Sequence, residues 1–154
     1  MIYISYYKSI IGLIEVKAYS HSIFSIDIVA KKEKEYNSNS ITEDCVRQLD
    51  EYFKGLRKEF NIPITIYGTD FQMAVWEEIM SVPFGQTASY KDIAIRIGKA
   101  KAARAVGNAL NKNPILIVMP CHRIIGSSGG IKGFKHGMGI RKRLVQIEKS
   151  IVKN

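Results

Sequence analysis

Cysteine is scarce in this chain: Cys45 and Cys121 are the only two among 154 residues. A secreted scaffold held by disulfides carries more, so the two thiols point to a reducing, cytoplasmic setting. A single Cys45–Cys121 bridge stays open on these grounds. Long apolar runs are also lacking. No stretch approaches the roughly 18 residues needed to cross a bilayer. The N-terminus has no charged start followed by a long apolar segment, so neither membrane insertion nor secretion is expected. There is no G-x-G-x-x-G and no Cys/His spacing of a metal site, so no cofactor and no metal are expected.

Acidic residues are short in one half only. Residues 1–68 hold nine Lys/Arg and nine Asp/Glu, whereas residues 69–154 hold fourteen and five, which accounts for the whole net charge of +9. A neutral half joined to a basic half suggests that the second half meets a polyanion. An evenly spread solubility surface would be the ordinary alternative.

The first half reads as strands and one helix. Ile14, Val16 and Ala18 alternate with polar residues, as do Phe24, Ile26 and Ile28. Residues 31–40 are polar and aperiodic and read as a loop. Ser40 with Glu43 has capping-box spacing, opening a helix with Cys45, Leu49 and Phe53 on one stripe. Cys45 is thus a core residue, and Gly55 suits the helix end. Phe60, Ile62, Ile64 and Ile66 alternate, but Pro63 demotes that run to an edge strand or linker. A boundary near Tyr67-Gly68 gives two domains, 1–68 and 69–154.

The second half is helical. Thr69 with Gln72 is a capping box before Phe71, Ala74, Val75 and Ile79, and Val82-Pro83 ends that helix. Ser89 caps a short helix ending at Gly98. A third runs from about Lys101 to Asn111. Two short helices about a glycine turn are similar to a helix-turn-helix. They carry Lys91, Arg96, Lys99, Lys101 and Arg104 against Asp92 alone, a phosphate-contacting set or else a solvated face. The last helix, from about Ile140 to Ile151, places Glu148 on the same face as Leu144 and Ile151. A carboxylate there needs a partner, either an arginine or a histidine held in one tautomer.

Pro120-Cys121-His122-Arg123 follows the strand-like run Ile115-Leu116-Ile117-Val118-Met119 and precedes a glycine-rich loop. Neighbouring positive charge favours a nucleophilic thiolate at Cys121; a small inert core cysteine is the competing reading.

Residues 117–125 closely resemble the active-site signature of the O6-alkylguanine-DNA alkyltransferases, also called methylated-DNA–protein-cysteine methyltransferases. Residues 101–109 resemble their recognition helix, Asn113-Pro114 their asparagine hinge, and residues 84–90 the stretch bearing a tyrosine that rotates a DNA phosphate. The resemblance is dense from about residue 70 to 150. It implies an α/β (α+β) protein: a small ribonuclease-H-like N-terminal sheet with a helix, then a helical C-terminal domain with a helix-turn-helix. It implies that Cys121 accepts the alkyl group, that His122 is its base through a water, that Glu148 orients His122, and that Asn113 braces the site. Tyr90 would hydrogen-bond the flipped guanine. Arg104 would fill the gap in the duplex, with Lys101 and Ala102 beside the DNA. Met119, Ile124, Ser127, Ser128 and Phe134 would line the base pocket.

Two departures stand out. Phe134 replaces a frequent tyrosine, and Lys135-His136 replaces small residues, which narrows tolerance for bulky alkyl groups. Some relatives bind zinc in the N-terminal domain, but Cys45 and His21 alone do not make such a site. The implied activity is single-turnover repair of O6-alkylguanine in double-stranded DNA, by a monomer with no cofactor and no membrane. Two rivals are a non-catalytic damage-recognition module, which would lack the acceptor cysteine, and a cysteine hydrolase, which would leave the basic helix pair unexplained.

Overall fold

The structure, a computed structural model, describes residues 1–126 and 138–152. It divides into two units. The first comprises Met1–Ile66 with Pro114–Leu116, the second Tyr67–Asn113 with Ile117–Asn154.

In the first unit, strands β1 (Tyr3–Ser9), β2 (Gly12–Ala18) and β3 (Ile23–Val29) form an antiparallel sheet in that order. The alternation in β2 buries Ile14, Val16 and Ala18 completely. Helix α1 (Ser40–Phe53) packs on β1 and β2 through Cys45, Leu49 and Tyr52. Cys45 lies in this core, and burial pushes its thiol up to about 12.

Two expectations need correction here, and a third alternative is resolved. The cap of α1 is Asn39, boxed with Thr42, one residue earlier than the Ser40/Glu43 pairing. Asn39 is the better acceptor in place, because Thr42 returns the bond to its backbone N–H. Of the two readings of residues 60–66, edge strand or linker, the linker holds: they form no strand, and Ile64 alone bridges Ile23 in parallel. Residues 115–119 form none either. Ile115 alone bridges Ile26, and the chain then turns at Ile117, whose φ is +71°. Both segments touch the outer edge of β3 just after a proline, which has no N–H to extend a ladder.

The second unit is helical. Helix α2 (Asp70–Ile79) is capped by Thr69 and Gln72. After it, β4 (Ala88–Ser89) leads directly into α3 (Tyr90–Arg96), capped by Ser89 and Asp92. Helix α4 (Ala103–Asn111) packs against both α2 and α3. A single 3-10 turn, Cys121–Arg123, is followed by β5 (Ile124–Ile125), which pairs in parallel with β4. Helix α5 (Met138–Val152) packs against the 3-10 turn. Among the described residues no helix is long and apolar enough to cross a membrane.

Trp76 on α2 is buried and donates its indole N–H to the Ala109 carbonyl of α4 at 2.9 Å. Trp76→Phe removes the donor and part of the ring. A loss of roughly 1–3 kcal/mol in urea unfolding is expected, and an unchanged midpoint would show that the bond is energetically idle.

Candidate active site

The turn that carries the thiol is built from its own backbone. The Asn113 amide donates to the Met119 carbonyl at 2.7 Å, the Cys121 N–H to the same carbonyl at 2.8 Å, and the Arg123 N–H to that of Pro120 at 3.0 Å. Ile117, a β-branched residue in the left-handed region, lies within this turn. Such a conformation costs of order 1–3 kcal/mol and persists only where the surroundings impose it. Cys121, His122 and Arg123 therefore leave the chain in a tight 3-10 turn. All three are buried.

Glu148, 1% exposed, is the hub beneath them. Its Oε2 accepts from His122 Nε2 at 2.6 Å and from Arg123 Nη2 at 3.1 Å. Its Oε1 accepts from Arg123 Nε at 2.8 Å and from the Gly85 N–H at 3.2 Å. Both partners considered for this carboxylate are thus present together. Arg123 spends a further N–H on the Val82 carbonyl at 2.8 Å, with its guanidinium 5.7 Å from the Phe84 ring centroid. Gly85 has φ +81°, and a Cβ there would sit 2.4 Å from Val152 Cγ2, so this approach requires glycine.

These contacts set the protonation states. Burial alone would raise Glu148, but the bonds from His122 and Arg123 outweigh it and hold the carboxyl well below the usual carboxylate range. Burial pushes His122 down, against the opposing pull of Glu148. An ionised carboxylate only accepts, so His122 is the neutral tautomer protonated at Nε2. Its Nδ1 is a buried acceptor with no hydrogen-bond partner among the described residues.

The β4–β5 pairing places Ser89 opposite Ile125, which brings Tyr90 to the residues just after the 3-10 turn. Tyr90 is half-buried and interacts electrostatically with Cys121. Burial raises its hydroxyl, so it is a protonated donor at neutral pH. Met119 and Ile124 are buried beside the turn. Lys101 and Arg104 are exposed at the start of α4, and Ala102 is its cap residue, with no side-chain cap bond. Ser127, Ser128 and Phe134 lie outside the described residues. Among the described residues no three His, Cys, Asp or Glu are grouped to hold a metal ion.

Three participants were not singled out from the sequence: Arg123 as the clamp on Glu148, the Gly85 N–H, and Arg141. Arg141 is buried on α5, three residues before Leu144 and seven before Glu148, so the helical period that exposed Glu148 also marks it.

The native state holds His122 below its unfolded value of about 6.5, so it binds fewer protons than the unfolded chain. That stability is complete above this pH and is lost as pH falls through it. Glu148 adds a loss only lower, below about pH 4.3. The thermal midpoint is expected to fall between about pH 7 and about pH 5, and His122→Gln to remove part of that fall. A variant with the parent's pH profile would contradict a buried neutral imidazole.

Known proteins agree with this geometry across the chain. A family profile described as "6-O-methylguanine DNA methyltransferase, DNA binding domain" matches residues 70–150. The ribonuclease-like domain profile of the same methyltransferase matches residues 2–66. The methylated-DNA–protein-cysteine methyltransferase of Methanosarcina barkeri is 45% identical over 107 residues, covering 70% of this chain and 68% of that protein. The one from Methanosarcina mazei is 40% identical over 141 residues, 89% of this chain and 88% of that protein. Several other curated relatives are covered over about two thirds of their length or less. The crystal structure of Mycobacterium tuberculosis OGT in complex with DNA superimposes with a TM-score of 0.87 at 34% identity, covering 97% of this chain and 93% of that one. With profiles of both domains matched in order, and the thiol, imidazole and carboxylate built into the second, the chain belongs to the 6-O-methylguanine DNA methyltransferase family.

Proposed function

We propose that this protein reverses O6-alkylguanine damage in double-stranded DNA by moving the alkyl group onto its own Cys121, once per molecule. The observation that carries this reading is the His122 ring: Nε2–H committed to Glu148, and Nδ1 left as a buried acceptor, on the residue that follows Cys121 in the chain. A neutral imidazole so held is a general base.

The thiol proton of Cys121 passes through a bridging water to His122 Nδ1. The sulfur attacks the alkyl carbon, the S–C bond forms, and the C–O6 bond breaks. The guanine leaves with its charge met by the Tyr90 hydroxyl, and over the whole reaction the thiol proton ends on guanine. The thioether product offers water no carbonyl to attack, so the protein is not regenerated. The alkyl group arrives on the DNA, and no cofactor is called for. Asn113 holds the Met119 carbonyl and with it the turn. Met119 and Ile124 line the base pocket.

The lesion lies inside the stack, so the nucleotide must rotate out, at a few kcal/mol and less for a badly paired base. Arg104 fills the gap, with Lys101 and Ala102 at the backbone. The protein acts as a monomer in the reducing cytoplasm, where Cys121 stays a thiol.

Intact-protein mass after mixing with a duplex bearing one O6-methylguanine is expected to rise by one methyl, mapped to Cys121. Cys121→Ser is expected to show no uptake while keeping duplex affinity; uptake in that variant, or at Cys45, would refute the assignment. Arg104→Ala is expected to slow repair of duplex more than reaction with free O6-benzylguanine, and equal losses would count against insertion into the stack.

A further inference from the structure

The stretch that leads into the acceptor turn is tied down at two places. Between them stands Ile117, with φ +71° the one non-glycine residue of positive φ among the described residues. Just after α4, the Asn113 side-chain amide closes a loop onto the Met119 carbonyl at 2.7 Å. Inside that loop, residues 114–116 are held on β3. The Ile26 N–H donates to the Pro114 carbonyl and the Leu116 N–H to the Ile26 carbonyl, each at 3.0 Å, with Ile115 bridging Ile26. These contacts lie within the first unit. A segment held on β3 and a loop closed at Met119 require the chain to reverse over residues 116–118, where it turns. A left-handed residue makes such a reversal.

Isoleucine is poorly suited to the place. Glycine and asparagine adopt a positive φ readily, whereas a β-branched side chain there is a true outlier. Core filling does not account for the choice. Ile117 is 1% exposed, but leucine fills such a site without a second branch at Cβ. What branching adds is stiffness. Few backbone angles are open to it, so the joint cannot swing as glycine would. Stiffness matters because the Met119 carbonyl, two residues on, accepts the Cys121 N–H at 2.8 Å as well as the Asn113 amide. A shift at the joint is therefore a shift of the sulfur.

We propose that Ile117 is a positioning residue for the transfer: its stiff left-handed joint carries the anchorage of residues 114–116 on β3 through to the Met119 carbonyl, and so fixes where Cys121 sits. The first unit supplies no group to the proposed chemistry, yet through this joint it is a working part of it. Ile117 acts only through the Met119 carbonyl and Cys121. Misplacing a reacting atom by about 1 Å costs on the order of 100-fold in rate, so the joint has a kinetic readout separate from stability.

This inference rests on Cys121 being the acceptor, and one arm of its test needs no DNA. A single glycine inserted between Leu116 and Ile117 removes no side chain and gives the joint slack. Amide hydrogen exchange at Cys121 and Arg123 is expected to quicken about tenfold, with Ile26 and the α2 amides at the parent's rates. On duplex bearing O6-methylguanine, the limiting transfer rate at saturating DNA is expected to fall about tenfold or more, with duplex affinity within about twofold. A folded insertion variant with the parent's exchange at Cys121 and the parent's limiting rate would overturn the proposal. Should the insertion prevent folding, two milder variants decide. Ile117→Val keeps the branch and is expected to transfer within about twofold of the parent, whereas Ile117→Leu keeps the volume and is expected to be at least about threefold slower. A Leu variant at the parent's limiting rate shows that Ile117 only fills the core, and overturns the proposal. If the parent takes no methyl from DNA, the proposed function fails, while exchange at Cys121 and Arg123 still measures the joint.

Discussion

Everything at the centre of the second unit depends on keeping one carboxylate ionised out of water. An isolated buried charge is prohibitively costly. Glu148 survives because four donors from two separate stretches converge on it from outside α5: Gly85 from the turn after α2, His122 and Arg123 from the 3-10 turn. The network is therefore a structural clamp and an electrostatic device in one. Such networks are high-stakes, since removing a member leaves the others unsatisfied in low dielectric. The Gly85 backbone can approach only because no Cβ stands in its way.

The chemistry follows from how that charge is shared. Arg123 neutralises Glu148, so the imidazole is not forced to become a cation. His122 instead uses its single proton at Nε2 and presents a lone pair at Nδ1. Had the carboxylate been paired with His122 alone, a charged imidazolium would be favoured. Arg123 is thus what lets the imidazole stay neutral.

Outside this centre the unit is organised for presentation. Helices α3 and α4 bury Ile93, Ala94, Val106, Ala109 and Leu110 and turn Lys91, Arg96, Lys101 and Arg104 outward. The basic residues that distinguish the second half are therefore placed on a surface where a phosphate backbone can reach them.

Local rules were legible wherever a few neighbouring residues decide the outcome. Thr69 with Gln72 and Ser89 with Asp92 cap their helices as their spacing dictates. The period of 3.6 placed Cys45 in a core and Glu148 on a buried face, and the four residues around Cys121 marked the buried turn that meets Glu148. Tertiary structure decided what distant segments do to one another. The apolar runs at residues 60–66 and 115–119 have the composition of strands, yet each finds only a single bridge on β3, because pairing needs a partner edge that sequence does not supply. The short parallel pairing of Ala88 with Ile124 is equally invisible in one dimension, and it is what brings Tyr90 to Cys121. Residue types and periods travel with the chain. Charge compensation, and hence the protonation state of His122, exists only once groups 25 and 63 residues away in sequence meet at Glu148.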